Sequence, residues 1–393
     1  MENPIPIDLI IEIVSRLPAE SVARCRCVSK LWRTILRRQD FTELFLTKSK
    51  ARPRLLMGVK QGDEWSFYSM PQPQNHYRKS SSLVVSAAVD FHTNFSKGRS
   101  GLSISYASGL IYIHKMCIPK DGEDEKRLIC NPLTGRYVIL PEMRGNSYSY
   151  LGFDPVDKEF KVLFMRNFTC IADIGTDHHI LTLGSGELRW RKIQCPFYHE
   201  PFWERICING VLYYTALRSD YSDGRSSHVI VCFDVRSEKF KFISGECSFD
   251  QLINYKGKLC GVSVEYTFGV GFPLTFSMCV LEDVEKQEWL KFVYSLPAEG
   301  EVAEEWLRYV YSSGDGSTCY PFVYGMTATG DIVFAMNYAS TPFYVFYFNP
   351  ERNTLQMVKI QGVGEENHDC RLDAFVDYVE DLSVNDATQL TMT

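Results

Sequence analysis

The chain lacks the cysteine pattern of a metal or disulfide framework. Its 13 cysteines are odd in number, lie scattered from Cys25 to Cys370 and form no CxxC pair. Cys25 and Cys27, two apart, match no metal motif. Such cysteines read as reduced, mostly buried thiols. No stretch approaches the ~20 apolar residues needed to span a bilayer. The N-terminus has no basic leader, and Asp8, Glu12 and Arg16 break its apolar run, so it is not a secretion signal. The expected location is the cytoplasm or nucleus. There, Asn94-Phe95-Ser96 and Asn167-Phe168-Thr169 are chance matches to the glycosylation pattern. A large positive charge is also missing. The net charge is −6, and residues 1–50 hold nine Lys/Arg against six Asp/Glu, leaving 33 against 42 beyond. A mildly acidic bulk argues against non-specific nucleic-acid binding.

Catalytic and cofactor motifs are scarce too. Gly269-Val270-Gly271-Phe272-Pro273-Leu274 has Leu274 where a dinucleotide loop needs its third glycine, so it reads as a tight turn. No Walker A sequence is present. Gly184-Ser185-Gly186 lies between strands instead of opening a helix, unlike a nucleophile elbow. His178 and His179 are adjacent, near Asp173 and Asp177. Strand neighbours point to opposite faces and chelate poorly, so a polar loop is expected there and no metal. Asp315-Gly316 lacks the Glu of a calcium loop. Glu299 to Glu305 reads as a solvated acidic run. We therefore expect no catalytic residue, no metal and no cofactor.

What is present is 45% hydrophobic residues, 13% aromatic, enough for a folded chain with a large core. The only mainly helical part is residues 5–46. Leu9, Ile10, Ile13, Val14 and Leu17 repeat on one helical face. Pro6 suits the helix start, Asp8 and Glu12 its positive end, and Leu17-Pro18 its stop. A second helix is expected over Ala19–Cys25. A third runs from Ser29 or Lys30 to Arg38, turning Leu31, Trp32, Ile35 and Leu36 inward or toward a partner. Three short helices cannot enclose this much apolar surface without a staple, a metal or a partner. The basic residues Lys30, Arg33, Arg37 and Arg38 also allow a helix-turn-helix reading, which the apolar Leu31, Trp32 and Ile35 oppose.

After a basic joint at residues 47–54 the period changes to strand and turn. Few later stretches carry a helical period, Pro297 to Arg308 being the best. A turn residue recurs with a bulky residue six positions on: Asn131…Tyr137, Asp154…Phe160, Asp234…Phe240, Asp283…Trp289 and Asn349…Leu355, with Gly184…Trp190 a weaker copy. Gly109, Gly210, Gly257 and Gly330 each precede an apolar strand. Together they predict antiparallel meanders of about 45–50 residues, the size of a kelch-class propeller blade. Residues 51–380 hold six or seven. A sandwich or incomplete propeller remains an alternative.

Residues 5–46 resemble the F-box. The matching residues are Ile5-Pro6, Asp8-Leu9-Ile10-x-Glu12-Ile13-Val14-x-Arg16-Leu17-Pro18 and Arg26-Cys27-Val28-Ser29-Lys30-Leu31-Trp32. Ile5 stands where Leu is usual, and Ser29 where Cys is. The rest resembles the plant F-box-associated β domain, through Asn131-Pro132-Leu133-Thr134-Gly135, Leu151-Gly152-Phe153-Asp154-Pro155, Ile208-Asn209-Gly210-Val211-Leu212-Tyr213, Phe233 to Phe240 and Leu281 to Trp289, in that order. The resemblance implies an α+β multidomain chain. Residues 1–50 would be a three-helix adaptor-binding module, and 51–393 a mainly antiparallel all-β domain, a propeller of about six blades. It implies the substrate-recognition subunit of an SCF-type (Skp–cullin–F-box) ubiquitin ligase, itself non-catalytic. Its partners would be a Skp-type adaptor, through it a cullin and RING subunit, and an unknown protein substrate. Pro6, Leu9, Ile10, Ile13, Leu17, Pro18, Val28, Leu31 and Trp32 are the residues expected to contact the adaptor or shape the contact. Non-ligase scaffolding, and an enzyme whose groups meet from different blades, are the alternatives. Exposed loops at 68–82, 120–126 and 218–227 are candidate substrate contacts.

Overall fold

Pro6 starts the first helix, and its carbonyl accepts the backbone N–H groups of Leu9 and Ile10, each at 3.1 Å. In the computed structural model α1 (Ile7–Val14), α2 (Ala19–Arg26), α3 (Lys30–Ile35) and α4 (Gln39–Lys50) follow one another. The structure describes residues 5–62, 64–73, 84–95, 104–117, 125–143, 147–166, 177–184, 187–220, 225–244, 249–265, 274–296, 304, 321–336, 338–339, 343–363 and 370–382. Pro18 precedes α2, where its fixed φ suits a helix start. Ser29 caps α3, accepting the Trp32 N–H at 3.1 Å. Two expectations change. The third helix stops at Ile35, and a fourth occupies much of the expected basic joint. Phe41 and Phe45, one turn apart, give α4 its buried side. Lys48 and Lys50 sit in its last turn, where cations suit the helix dipole.

Among the described residues, 26 strands follow in six sheets that form the blades of a propeller. β1 (Arg54–Gln61) and β2 (Glu64–Pro71) belong to blade 1. β3 (Val84–Ala88) leaves that blade, and β4 (Asp90–Phe95) returns to pair with β2. Blade 2 is β5 (Ile104–Ala107), β6 (Leu110–Cys117), β7 (Glu125–Cys130) and β8 (Tyr137–Ile139). Blade 3 is β9 (Ser147–Asp154), β10 (Glu159–Arg166), β11 (His178–Leu183) and β12 (Arg191–Ile193). Blade 4 is β13 (His199–Ile208), β14 (Val211–Asp220), β15 (Arg225–Asp234) and β16 (Lys239–Ser244). Blade 5 is β17 (Gln251–Tyr255), β18 (Lys258–Glu265), β19 (Thr275–Asp283) and β20 (Glu288–Ser295). Blade 6 takes β21 (Pro321–Met326), β22 (Ile332–Met336), β24 (Tyr344–Asn349) and β25 (Thr354–Gln361). The two-residue β23 (Tyr338–Ala339) pairs with β26 (Cys370–Tyr378).

The ring closes through blade 1. β26 pairs antiparallel with β1, setting Leu56 opposite Phe375 and Val59 opposite Leu372. β3 crosses to the outer side of blade 6 and runs parallel to β25. Both ends of the β domain are thereby stitched into their neighbours. Closure favours this over an open sheet because it removes the exposed edges that would otherwise recruit other chains.

The two sequence markers are the two hairpins of a blade. Gly109, Gly210, Gly257 and Gly330 sit at positive φ in the turns after β5, β13, β17 and β21. Each Asp or Asn marker is not the residue in the left-handed conformation; its side chain caps the turn. Asp154 Oδ1 accepts from Val156 N at 2.9 Å, Asp283 Oδ1 from Glu285 N at 2.8 Å, and Asn349 Oδ1 from Arg352 N at 3.0 Å. The positive φ falls four residues after the Asx, at Gly135, Lys158, Glu238, Gln287 and Asn353. The Asx caps therefore hold turns that leave non-glycine residues in a costly region.

His178 and His179 open strand β11, so the polar loop expected there is a strand. Parts of the other candidate loops are strand as well: 68–71 in β2, 125–126 in β7, 218–220 in β14 and 225–227 in β15. The stretches 74–83, 120–124, 167–176, 185–186, 221–224, 266–273, 299–303 and 305–320 lie outside the described residues. With them lie Ser185, Asp173, Asp315-Gly316, most of the Gly269 turn and most of the helical stretch 297–308. Among the described residues no helix is long and apolar enough to cross a membrane.

Candidate functional site

The helical unit has a core of its own. Ile10, Val14, Val22, Ile35, Leu36, Phe41 and Phe45 are buried together. Arg26 ties α2 to the end of α3, its Nη2 donating to the Leu36 carbonyl at 2.8 Å. Two residues of the β domain, Leu133 and Leu382, complete this core. Arg52 Nη2 donates to the carbonyls of Ser15 at 3.2 Å and Leu17 at 2.8 Å, and Glu380 Oε2 accepts the N–H of Ala19 at 3.2 Å. The unit is thus anchored to the propeller on one side.

A second set of apolar side chains is left outside. Leu9 is 53% exposed, Ile13 56%, Val28 66% and Leu31 47%, and Ile5 and Ile7 are exposed as well. Leu9 and Ile13 are one turn apart on α1; Val28 and Leu31 come from the α2–α3 turn and the first turn of α3. Single exposed apolar residues need no explanation, but six within 27 residues on a unit whose core is already filled mark an interaction surface.

The propeller offers a central cavity of about 470 Å³. It is lined by β5, β9, β13, β17, β21 and β26, the strands that begin the successive blades and the one that closes the ring. Arg205 Nη2, on blade 4, donates to the Ile104 carbonyl of blade 2 at 3.0 Å, and its guanidinium lies over the Tyr150 ring of blade 3. Arg371 pairs with Asp373, Nε to Oδ2 at 3.2 Å. Burial pushes the Glu204 carboxyl up to about 7, against the opposing pull of Arg205. Burial also raises the Cys207 thiol to about 11, which suits a packed thiol and not a nucleophile. The cavity can hold a proton on Glu204 and present charge to a polar group.

A family model for the F-box domain matches residues 4–44, and one for the F-box associated beta propeller domain matches residues 54–379. The chain is an F-box protein with an F-box-associated propeller. From Arabidopsis thaliana, F-box only protein 12 is 59% identical over 98% of this chain and 84% of its own. F-box protein At3g57590 is 48% identical over 99% of this chain and 93% of its own. A chain of the nidogen/laminin complex aligns with a TM-score of 0.43 and 9% identity, covering 82% of this chain and 98% of that one. An F-box is in general the docking element for a Skp-type adaptor.

The residues expected to form the adaptor contact divide into three groups. Pro6, Leu9, Ile13, Val28 and Leu31 are exposed on the F-box. Leu17, Pro18 and Trp32 are half-buried, Leu17 and Trp32 packing on the F-box core. Ile10 is 2% exposed and belongs to that core, so it can shape the adaptor face and not touch a partner. The helical face read as one stripe is two: Ile10 and Val14 look inward, Leu9 and Ile13 outward. Ile5 and Ile7 were left off the expected contacts, though their position beside Pro6 was the available signal.

Proposed function

We propose that the protein is the substrate-recognition subunit of an SCF-type ubiquitin ligase and has no catalytic role of its own. The F-box would dock on a Skp-type adaptor carrying a cullin and RING subunit, and the propeller would hold a target protein. Tethering makes attack by the target's lysine effectively intramolecular. The observation that carries this reading is the exposed apolar set Leu9, Ile13, Val28 and Leu31 on an F-box whose own core is closed. A cytoplasmic or nuclear location fits, and no disulfide joins the nine cysteines whose side chains are described.

The test is reconstitution of the full chain with a Skp-type adaptor, cullin and RING subunit, beside a Leu9→Ala/Ile13→Ala variant. The expected result is a complex that supports ubiquitin transfer and is weakened in the variant. Adaptor binding without cullin recruitment would favour a scaffold outside ubiquitination. Point variants serve better than deleting residues 1–46, because deletion would uncover Leu133 and Leu382.

A further inference from the structure

His178, the first residue of β11, meets two residues from the crossing between blades 3 and 4. Cys195 lies two residues past β12, and His199 is the first residue of β13. One ligand atom from each of the three lies within 4.8 Å of the others. Cys195 Sγ is 3.8 Å from His199 Nδ1, and the His178 and His199 ring centroids are 5.2 Å apart.

Both histidines are 4% exposed. Burial favours the neutral form of both imidazoles and of the Cys195 thiol alike, so a metal bound here must itself displace the thiol proton. Neither ring nitrogen of His178 has a hydrogen-bond partner. The ring packs against Phe240 and His199, and among the described residues none hydrogen-bonds to either of its nitrogens. A buried imidazole with both nitrogens unused is rare in folded proteins, because burial removes water without replacing it. His199 is positioned from behind: its Nε2 lies 2.8 Å from Tyr214 Oη. Its Nδ1 lies 3.2 Å from the Phe197 carbonyl and 3.8 Å from Cys195 Sγ, so ligation through Nδ1 moves the ring proton to Nε2, which then donates to Tyr214 Oη, and gives up the Phe197 bond.

We propose that His178, Cys195 and His199 bind one zinc ion at the junction of blades 3 and 4. Two neutral imidazoles and a thiolate form a borderline-soft set that suits zinc and disfavours the oxygen-seeking calcium and magnesium. Tetrahedral zinc with a Zn–S bond of about 2.3 Å and a Zn–N bond of about 2.0 Å places S and N roughly 3.5 Å apart. The observed 3.8 Å is close to this, and binding exchanges the Phe197 carbonyl contacts of Cys195 at 3.3 Å and His199 at 3.2 Å for bonds to the metal. On binding, the Cys195 S–H bond is replaced by S–Zn, the proton leaves to solvent, and the metal stays divalent. A water takes the fourth position. His179, on the opposite strand face beside Asp177, is not a ligand. The ion would add a staple to two blades already joined by packing and by ion pairs such as Lys161–Glu238 at 2.9 Å.

The test uses the full chain stripped with a chelator, then titrated with Co²⁺ and with Zn²⁺. The expected results are one metal per chain, a thiolate-to-cobalt charge-transfer band, and a melting temperature that rises with zinc. Cys195→Ser keeps a similar shape at a half-buried position. It should abolish the band and weaken zinc by more than ~100-fold, beyond the roughly 10–100-fold expected for the positioning residue in Tyr214→Phe. His178→Gln is the second ligand variant. No band and no zinc-dependent melting shift in the unmodified chain would overturn the proposal. So would a band of equal strength in Cys195→Ser, which would place the metal on another of the cysteines.

Discussion

Alanine at both Leu9 and Ile13 isolates the F-box face from the F-box core. The side chains keep 53% and 56% of their surface open, so a partner can bury about half of each. Full burial of a Leu or Ile contributes roughly 1.5–3 kcal/mol, and the open 53% and 56% of that come to about 0.8–1.7 kcal/mol each. The double change should therefore weaken adaptor binding by roughly 1.6–3.4 kcal/mol, or about 15- to 300-fold in Kd. Stability should move little, since exposed substitutions commonly stay within about 0.5 kcal/mol. Ile10→Ala is the counterpart. It lies beside Leu9 in sequence but inside the core, and should cost about 2–5 kcal/mol of stability. Titration calorimetry against a Skp-type adaptor, with a thermal melt of each variant, separates the two effects. A double variant that melts normally and loses less than threefold in affinity would refute the division of α1 into an inner and an outer face.

Three further outcomes are expected. Arg52→Ala removes the charged donor to the Ser15 and Leu17 carbonyls, and should lower F-box stability by about 1.5–3 kcal/mol, read by hydrogen exchange in α1; unchanged protection there would count against the anchor. Glu204 holds its proton to about pH 7 in the folded chain and to about 4.5 when free, so the folded state binds the proton more tightly. Stability should then fall as pH rises from 5 to 8, by at most about 3 kcal/mol, and urea unfolding of Glu204→Gln should show a flatter dependence; an equally steep one contradicts the shift. At Gly152 an added Cβ would sit 2.7 Å from Val235 Cγ2 in the adjoining blade. Gly152→Ala should cost about 1–3 kcal/mol in urea unfolding, partly restored by Val235→Ala, and a neutral result would refute the tight blade contact.

The repeats were legible because a blade needs two tight turns at fixed spacing, and Asp154, Asp234, Asp283 and Asn349 are the residues whose side chains can cap one. The strained partners at Lys158, Glu238 and Gln287 were not, since nothing about Lys, Glu or Gln advertises a positive φ. Helix α4 was missed because Phe41 and Phe45 offer only two turns of period among charged neighbours. The inward turn of Ile10 was hidden for another reason: α1 is apolar on more than one side, and sequence cannot say which side meets Phe41 and which meets a partner. The parallel pairing of β3 with β25, and the meeting of His178 with Cys195 and His199, depend on how distant segments are brought together, which no local pattern encodes.

The order in which the chain is made gives the closure of blade 1 a further meaning. The F-box helices are synthesised before the propeller, yet Leu382, which fills their core, and Glu380, which holds Ala19, follow only after the last propeller strand. β1 likewise waits for β26 before its open edge is covered. At ~5–20 residues per second that wait lasts on the order of tens of seconds. A chain cut short before residue 370 would carry the outward Leu9 and Ile13 and keep the Arg52 and Leu133 anchors but lack those of Glu380 and Leu382. The architecture thus makes a fully mounted docking face conditional on synthesis past Leu382.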